Sequence, residues 1–446
     1  MHGLEAALDC LRYDLRNESY RVQSGMRMKF QHVIDDFIES ETSFNAHRQK
    51  LSKTTIILAF QDALIEVAEE IHSVDDPDLE NKLEEMKQEV LRNTLGRDLE
   101  TYTVVFPLNL KENSRIPGVF SMPDANFERI SEREWEQDYE QPARENDETS
   151  LSAFLEESPN DLYESDGMGG VFTFWRMDYD ARDHRYALSQ VPEIVRLLLS
   201  ELNFVIWQWT SGIPRPASNE RPPNARWSEL KEPFIYLIFS QDEYLDYLPY
   251  DYELRRGSEG NRRNMDERIE RFEQLPGFSV RREELTDVEE TIANALVSYQ
   301  DGITESSIHQ SFFAFWRGLE ILTQVERGQG KDVVVERALF TLENVTEREF
   351  VRRRLKRALD EIEDKRNSLV HEGPHTGISH SHRDTSKLLL DAMLELYFSY
   401  YDEDFSNDDF RQLLKYGTMT SQEREAGRDD CERTIEIINR VQQMID

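Results

Sequence analysis

The spacing of apolar residues in the last third of the chain constrains its fold more than any other feature. From Leu285 onward, apolar side chains recur three and four positions apart in successive segments, which predicts amphipathic helices. Capping boxes, Thr286 with Glu289 and Thr346 with Glu349, support two helix starts. The predicted helices span 285–300, 306–326, 333–342, 347–370, 384–401 and 424–445. Residues 285–446 are therefore predicted to form a helical C-terminal domain.

The first 284 residues predict two further units, since 446 residues exceed what one hydrophobic core usually holds. Residues 1–100 predict a helical N-terminal unit, with helical apolar spacing through Leu79, Leu83, Met86 and Val90. Residues 101–284 predict a mixed α/β domain. The fold class is mainly α: a helical C-terminal bundle preceded by a mixed α/β region and an N-terminal helical unit.

Several runs inside the mixed domain favour particular elements. Strand-like runs begin at Tyr102, Gly170 and Phe234, and residues 190–203 predict a helix. The next six residues, Phe204-Val-Ile-Trp-Gln-Trp, are apolar and β-rich and predict another strand. Residues 132–165 are rich in Glu, Asp, Asn, Gln and Ser, which indicates a solvated insertion without chemistry.

Charge and cysteine content indicate the cellular environment in which this protein works. The net charge is −36, and Arg supplies 41 of the 53 basic residues, a pattern that fits a halophilic protein in a high-salt cytoplasm, where screening is strong. Cys10 and Cys431 form neither a metal motif nor a disulfide framework. We find no leader-like N-terminus and no apolar run of the roughly 20 residues that a membrane span needs. We therefore expect a cytoplasmic protein with no membrane association.

The segment Arg366-Asn367-Ser-Leu-Val-His371 ends one predicted helix, just before Gly373-Pro374. At 100° per residue, three apolar residues lie within roughly 40° of Arg366 on the helical wheel: Leu355, Leu359 and Ile362. A guanidinium on an apolar stripe needs a partner anion, a subunit interface or a cleft.

His371 lies about 140° from Arg366 on an unbroken helix, so the two side chains converge only if the helix ends near Val370. Gly373-Pro374 predicts such an end. An imidazole transfers protons near neutral pH, and an adjacent guanidinium stabilises charge on a phosphate. RNA supplies its own nucleophile, the 2′-hydroxyl group, so this chemistry needs no metal and no cofactor.

These residues resemble a known family, the HEPN domains. Arg366-Asn367-xxx-His371 matches the R-polar-xxx-H signature, and the continuation to Gly373 is similar to the "LVHxG" ending of the ApeA-like branch. Phe315-Trp-Arg-Gly-Leu-Glu320 resembles the upstream helix of that branch. The resemblance covers residues 285–446 only. It implies a four- to five-helix bundle that dimerises, so that two motifs form one composite ribonuclease site acting on RNA.

The resemblance also implies a role for each residue of the site. Arg366 would contact the scissile phosphate, His371 would transfer protons, and Asn367 would orient either the imidazole or the phosphate. Glu320 is a weaker candidate for an acidic site residue. The implied process is antiviral defence, toxin action or RNA processing.

Basic residues on the helix before the motif suggest an RNA track, represented by Arg352 and Lys356. Acidic residues alternate with them, so a solvated, salt-bridged helix face is an equally good interpretation.

Other interpretations of the motif stay open. Arg366 and His371 also suit a helix C-terminal cap. The domain also suits a catalytically silent HEPN-like protein that binds nucleotide or RNA or acts as a scaffold, or an unrelated interaction protein. Four histidines close together invite a zinc hypothesis, although an all-His site is unusual: His371, His375, His380 and His382.

Overall fold

The computed structural model shows a mainly helical protein with one large antiparallel sheet. It describes residues 2–14, 19–23, 25–42, 45–70, 79–110, 117–146, 151, 172–210, 226–228, 230–249, 266–279, 281, 284–324, 332–346, 378–401 and 405–445. In this part of the chain, no helix is both long and apolar enough to cross a membrane.

The N-terminal unit is confirmed as helical and has its own core. Its helices are α1 (His2–Leu8), α2 (Arg27–Thr42), α3 (Ala46–Gln49), α4 (Lys53–Glu70) and α5 (Leu79–Leu95). The predicted stripe on α5 is its buried face, formed by Leu79, Leu83, Met86 and Val90. The sequence interpretation missed a short hairpin of β1 (Leu11–Asp14) and β2 (Ser19–Val22).

The mixed region contains a six-stranded antiparallel sheet in the order β4-β5-β6-β3-β7-β8. Its strands are β3 (Glu100–Leu108), β4 (Val119–Met122), β5 (Ala125–Ile130), β6 (Thr173–Ala181), β7 (Ile235–Ser240) and β8 (Glu243–Pro249). The runs at 102, 170 and 234 thus lead into β3, β6 and β7. Val104 and Phe106 face one core and Val105 faces another, as expected for a central strand covered on both faces.

Part of the predicted solvated insertion is folded against the sheet. Residues 132–146 form α6 (Glu132–Glu134), a π-helical turn (Trp135–Glu140) and α7 (Gln141–Asn146). Trp135 is buried, stacks on Phe174 at 4.8 Å between ring centroids, and donates from Nε1 to Glu140 at 3.1 Å. Residues 132–146 are therefore helical and anchored by one buried aromatic residue, while most of their polar side chains are exposed.

The long helix α8 (His184–Trp207) corrects the strand predicted at Phe204. Almost every residue from Leu197 to Trp207 is buried, since one side of α8 packs on the sheet and the other on the C-terminal helices. A helix buried on all sides loses its apolar periodicity, and its aromatic and β-branched residues then imitate a strand.

Helix α9 (Asp266–Phe272) lies before residue 285, in the predicted mixed region. After residue 285 the described chain is helical. Its helices are α10 (Asp287–Thr304), α11 (Ile308–Leu322), α12 (Asp332–Thr346), α13 (His380–Ser399), α14 (Asn407–Thr418) and α15 (Ser421–Ile445). The capping box of Thr286 and Glu289 is present at the start of α10. Helix α11 packs between α10 and α13, and α12 packs on α13. The predicted helix 347–370 lies outside the described residues, as does Glu349 of its capping box, and Thr346 is the last residue of α12.

Sheet and helices share one continuous core. Phe204 of α8 contacts Tyr299 of α10 and Phe398 of α13, at 5.5 and 5.4 Å between ring centroids. Among the described residues, one core therefore extends across the predicted boundary at 284/285.

Candidate functional site

The predicted motif lies between two described helices. Arg366, Asn367 and His371 fall outside the described residues, as do Arg352 and Lys356, so their roles stay predictions. The described chain leaves off at the end of α12 and resumes at Ile378, which is buried directly before α13. The structure therefore describes the helix before the motif in sequence, α12, and the helix after it, α13.

Glu320 is the one predicted site residue that the structure describes. It lies in the last turn of α11 and is partly exposed. Its Oε1 accepts a hydrogen bond of 2.7 Å from Nε1 of the buried Trp316, one turn earlier. The indole thus holds the carboxylate in a defined orientation, and the catalytic role of Glu320 stays a prediction.

The end of α11 that carries Glu320 is fixed from two sides. Arg337 of α12 is buried and donates from Nη1 to the carbonyl groups of Thr323 and Gln324, at 2.6 and 3.0 Å. The hydroxyl group of Tyr397 donates to the carbonyl of Leu322 at 2.7 Å. These contacts satisfy carbonyls that a helix end leaves open, and a cation there also offsets the helix dipole.

The aromatic stripe of α11 forms core, with one exception. Phe312, Phe315 and Trp316 are buried, whereas Phe313 is 42% exposed. Phe313 lies about 100° from its neighbours on the helix, which turns it away from the buried face. Its ring lines an open surface cavity of about 500 Å³ between α10 and α11.

Charges of both signs line this surface cavity. Arg317 donates from Nη2 to Asp301 at 2.7 Å and from Nε to Ser298 at 3.0 Å. Asp301 also accepts from Arg196 at 2.6 Å, so one carboxylate joins two guanidinium groups. Lys231 and the acidic Glu305 line the same cavity. The arrangement is balanced in charge and does not by itself define a ligand.

Two histidines of the zinc hypothesis are described, and both contact protein groups. Nδ1 of His382 accepts from the backbone N–H of Ser379 at 3.1 Å, which caps α13. Nδ1 of His380 lies 3.1 Å from Nη2 of Arg383. These contacts give the two rings structural roles at the start of α13. His371 and His375 lie outside the described residues.

A ladder of charged residues on α13 was missed by sequence reasoning. It consists of residues four positions apart on one helix face: Arg383, Lys387, Asp391 and Glu395. Arg383 and Lys387 are fully or almost fully buried. The guanidinium carbon of Arg383 lies 4.2 Å from the ring centroid of Trp227, a cation–π contact. A buried cation needs such partners because its desolvation is costly.

Lys387 and Asp391, at the centre of this ladder, form hydrogen bonds with the backbone at the end of α8. Lys387 Nζ donates to Oδ2 of Asp391 at 2.9 Å and to the carbonyl of Trp207 at 2.8 Å. The same Oδ2 accepts from the backbone N–H of Trp209 at 3.1 Å. Burial raises the pKa of Asp391 above the ordinary carboxyl range, and the neighbouring Lys387 opposes this shift.

Glu395, the last residue of the ladder, connects α13 to α9. Glu395 accepts from Nη2 of Arg271 at 2.6 Å and also from Gln208. The residue after Gln208, Trp209, has a positive φ of 58°, a backbone conformation that non-glycine residues rarely adopt. The ladder is therefore a structural joint between α8, α9 and α13. The sequence signal for it was the four-residue spacing of charges beside the apolar run Leu388-Leu389-Leu390.

The described helices of this region thus carry an oriented carboxylate on α11, a fixed end of α11 and a buried charged joint on α13. No protein-family model, no curated protein and no solved structure matches this chain.

Proposed function

We propose that the protein is a metal-independent endoribonuclease of the HEPN type. The observation that carries the proposal is the Arg366-Asn367-xxx-His371 segment, located between helices α12 and α13 of a helical domain. The packing of α11 against α10 and α13 supports it, since α11 carries the Phe-Trp-Arg-Gly-Leu-Glu segment. The process served is antiviral defence, toxin action or RNA processing.

The proposed reaction is an intramolecular transfer within the RNA. His371 removes the proton of the 2′-hydroxyl group, whose oxygen attacks the adjacent phosphorus. The bond from phosphorus to the 5′-oxygen breaks, and this leaving oxygen takes up a proton. The products are a 2′,3′-cyclic phosphate and a free 5′-hydroxyl group. Arg366 stabilises the charge on the phosphoryl oxygens, and Asn367 orients the reacting groups.

Glu320 has a supporting role in this proposal. Trp316 orients its carboxylate, and in this proposal the carboxylate binds a cationic group of the site or orients the imidazole. Arg352 and Lys356 contribute phosphate contacts along the RNA strand.

Cleavage is expected to persist in EDTA. The nucleophile comes from the substrate, and charge stabilisation comes from a guanidinium, so chelation removes nothing that the step uses. The test incubates the full chain with a labelled single-stranded RNA in molar salt, with and without EDTA, and determines the product ends. The cyclic phosphate should form at equal rates in both.

A substrate with a 2′-deoxy nucleotide at the cleaved position is the matched control. It lacks the nucleophile and should stay intact while its neighbours are cleaved. Activity that EDTA removes and that added magnesium or zinc restores would contradict the mechanism, as would cleavage of the deoxy substrate.

We also expect a homodimer formed through the motif-bearing face of the helical domain. One protomer supplies a single Arg366 and a single His371, whereas the reaction uses a base, an acid and charge stabilisation together. A two-fold axis beside the motif provides two copies of each. Sedimentation in molar salt, which screens the charge of −36, should show twice the 52.6-kDa mass. A monomer that retains full cleavage would exclude the composite site.

A further inference from the structure

Glu201 is a buried carboxyl group in the middle of the molecule. It lies on α8, in the stretch where nearly all side chains are apolar, and is only 5% exposed. Within the described part of the chain, its Oε1 has no hydrogen-bond partner. A buried polar group without a partner is costly, and such groups in folded proteins are uncommon.

The Glu201 side chain is part of the wall of a cavity of about 290 Å³ on one side of the sheet. The opposite walls come from β4 with the turn at Pro123, and from the segment Phe272–Gly277 that follows α9. Aromatic packing builds the floor, since Phe120 stacks on Trp175 at 4.9 Å and meets the edge of Phe272 at 5.6 Å.

The rim of the cavity depends on a close approach of two chain segments. A Cβ atom added to Gly277 would lie 2.8 Å from Cγ of Pro123, closer than real contacts allow. The remaining lining residues are mostly apolar, and Glu273 adds a second, exposed carboxylate. As a whole, the cavity presents polar and apolar surface in similar measure, with acidic groups on its inner wall and at its rim.

The charge of the walls selects the class of ligand. Two carboxylates disfavour phosphates and other anions. The nearby Arg268 of α9 donates to the carbonyl of Val205 at 3.2 Å, and Arg268 does not line the cavity. The described residues contain no group of three metal-ligating side chains, so a metal ion would lack a ligand set there. A nitrogen cation satisfies the buried carboxylate directly through a charge-assisted hydrogen bond.

We propose that this cavity binds a small organic cation, an amine or amidine on a compact apolar body, through Glu201. The cavity volume lies at the lower end of the range of roughly 300–1,000 Å³ typical of ligand pockets, which suits a small ligand. The apolar body packs among Phe120, Met122 and Phe272, and the cationic nitrogen contacts the carboxylate.

Binding is expected to be coupled to release of a proton. Burial raises the pKa of Glu201 to about 8, so the carboxyl group of the free protein is mostly protonated at neutral pH. A cation binds the ionised form, so affinity should rise by about tenfold per pH unit from pH 6 and level off above about pH 8. The other carboxylate of the lining, Glu273, is exposed and contributes little to this dependence.

The experiment measures binding of benzamidine and benzylamine to the full chain by titration calorimetry, in two buffers of different ionisation enthalpy. Benzamide and benzyl alcohol are the neutral, shape-matched probes. We expect the two cations to bind with proton release and the neutral probes to bind at least tenfold more weakly. Glu201→Gln should weaken binding of the cations at least tenfold and abolish the proton release.

Glu193→Gln is the matched control, because Glu193 is an exposed glutamate on the same helix. This variant should bind the cations as the parent chain does. Equal binding by the Glu201→Gln protein, or no binding of either cation by the parent chain at pH 8, would overturn the proposal. Thermal unfolding of each variant confirms that all are folded.

Discussion

Replacing His371 with alanine is expected to lower the rate of RNA cleavage by about 10²–10⁴-fold, the usual contribution of a general acid or base. The imidazole is the group that we assign to proton transfer, and alanine leaves no substitute. The measurement is the single-turnover rate of the full chain on a labelled RNA at fixed salt. The pH–rate profile of the parent chain should show an inflection near the histidine range, which the variant loses.

His375→Ala is the matched control, since it removes the same side chain four positions away and should retain activity. Arg366→Lys keeps the positive charge but loses the planar donor pair, so it should also cleave slowly. A His371→Ala protein that cleaves at the parental rate would exclude the proposed site. It would favour the catalytically silent or unrelated alternatives.

Breaking the buried ion pair of Lys387 and Asp391 on α13 is expected to lower the free energy of unfolding far more than replacing an exposed lysine. Lys387→Met removes one partner and leaves Asp391 as a buried, uncompensated carboxylate, which costs about 3–5 kcal/mol. The carbonyl of Trp207 also loses one of its two donors and keeps the backbone N–H of Thr210. The free energy of unfolding from denaturant titrations at fixed salt measures the effect. Lys415→Met, an exposed lysine on α14, is the control and should change stability by less than about 0.5 kcal/mol.

The double variant Lys387→Met, Asp391→Leu separates the pair from its surroundings. It removes both charges with side chains of similar size and should recover much of the lost stability. The backbone N–H of Trp209 then lacks its acceptor, so recovery should be incomplete by about 1–3 kcal/mol. Equal stability of the parent chain and Lys387→Met would show that the pair is not a structural joint.

Local patterns predicted those parts of the fold where one face of an element meets solvent. The stripe of α5, from Leu79 to Val90, and the capping box at Thr286 follow from residues close in sequence. The strands β3 and β7 are different, since they are buried on both faces along most of their length. They were predicted because β-branched and aromatic runs bounded by polar residues favour buried strands.

Long-range packing explains the elements and side chains that the sequence pattern misassigned or missed. The last turns of α8 near Phe204 lie between two layers, and only their neighbours in space make them helical. Likewise, Arg383, Lys387 and Asp391 have the spacing of a solvated, salt-bridged face. Their burial depends on the end of α8 reaching them from 180 residues earlier in the chain. Glu201 gives no local signal, since its environment is built by β4 and the turn after α9.

For the candidate site, too, the sequence predicted one part and the structure added another. Its chemistry was predicted from one short segment and a family resemblance, and Arg366, Asn367 and His371 remain predictions. The structure adds the orientation of Glu320 by Trp316 and the anchoring of α11 by Arg337. Neither contact follows from a motif.

The core shared by the sheet and the helices limits how this protein can be recombined. A chain divided at residue 285 would leave Tyr299 and Phe398 facing water where Phe204 now packs, and would strip Lys387 and Asp391 of their contacts with Trp207 and Trp209. The helical region after residue 285 is therefore not expected to fold as an independent domain. Any gene fusion that carries it into a new protein must also carry α8, and with α8 the sheet that covers its other face.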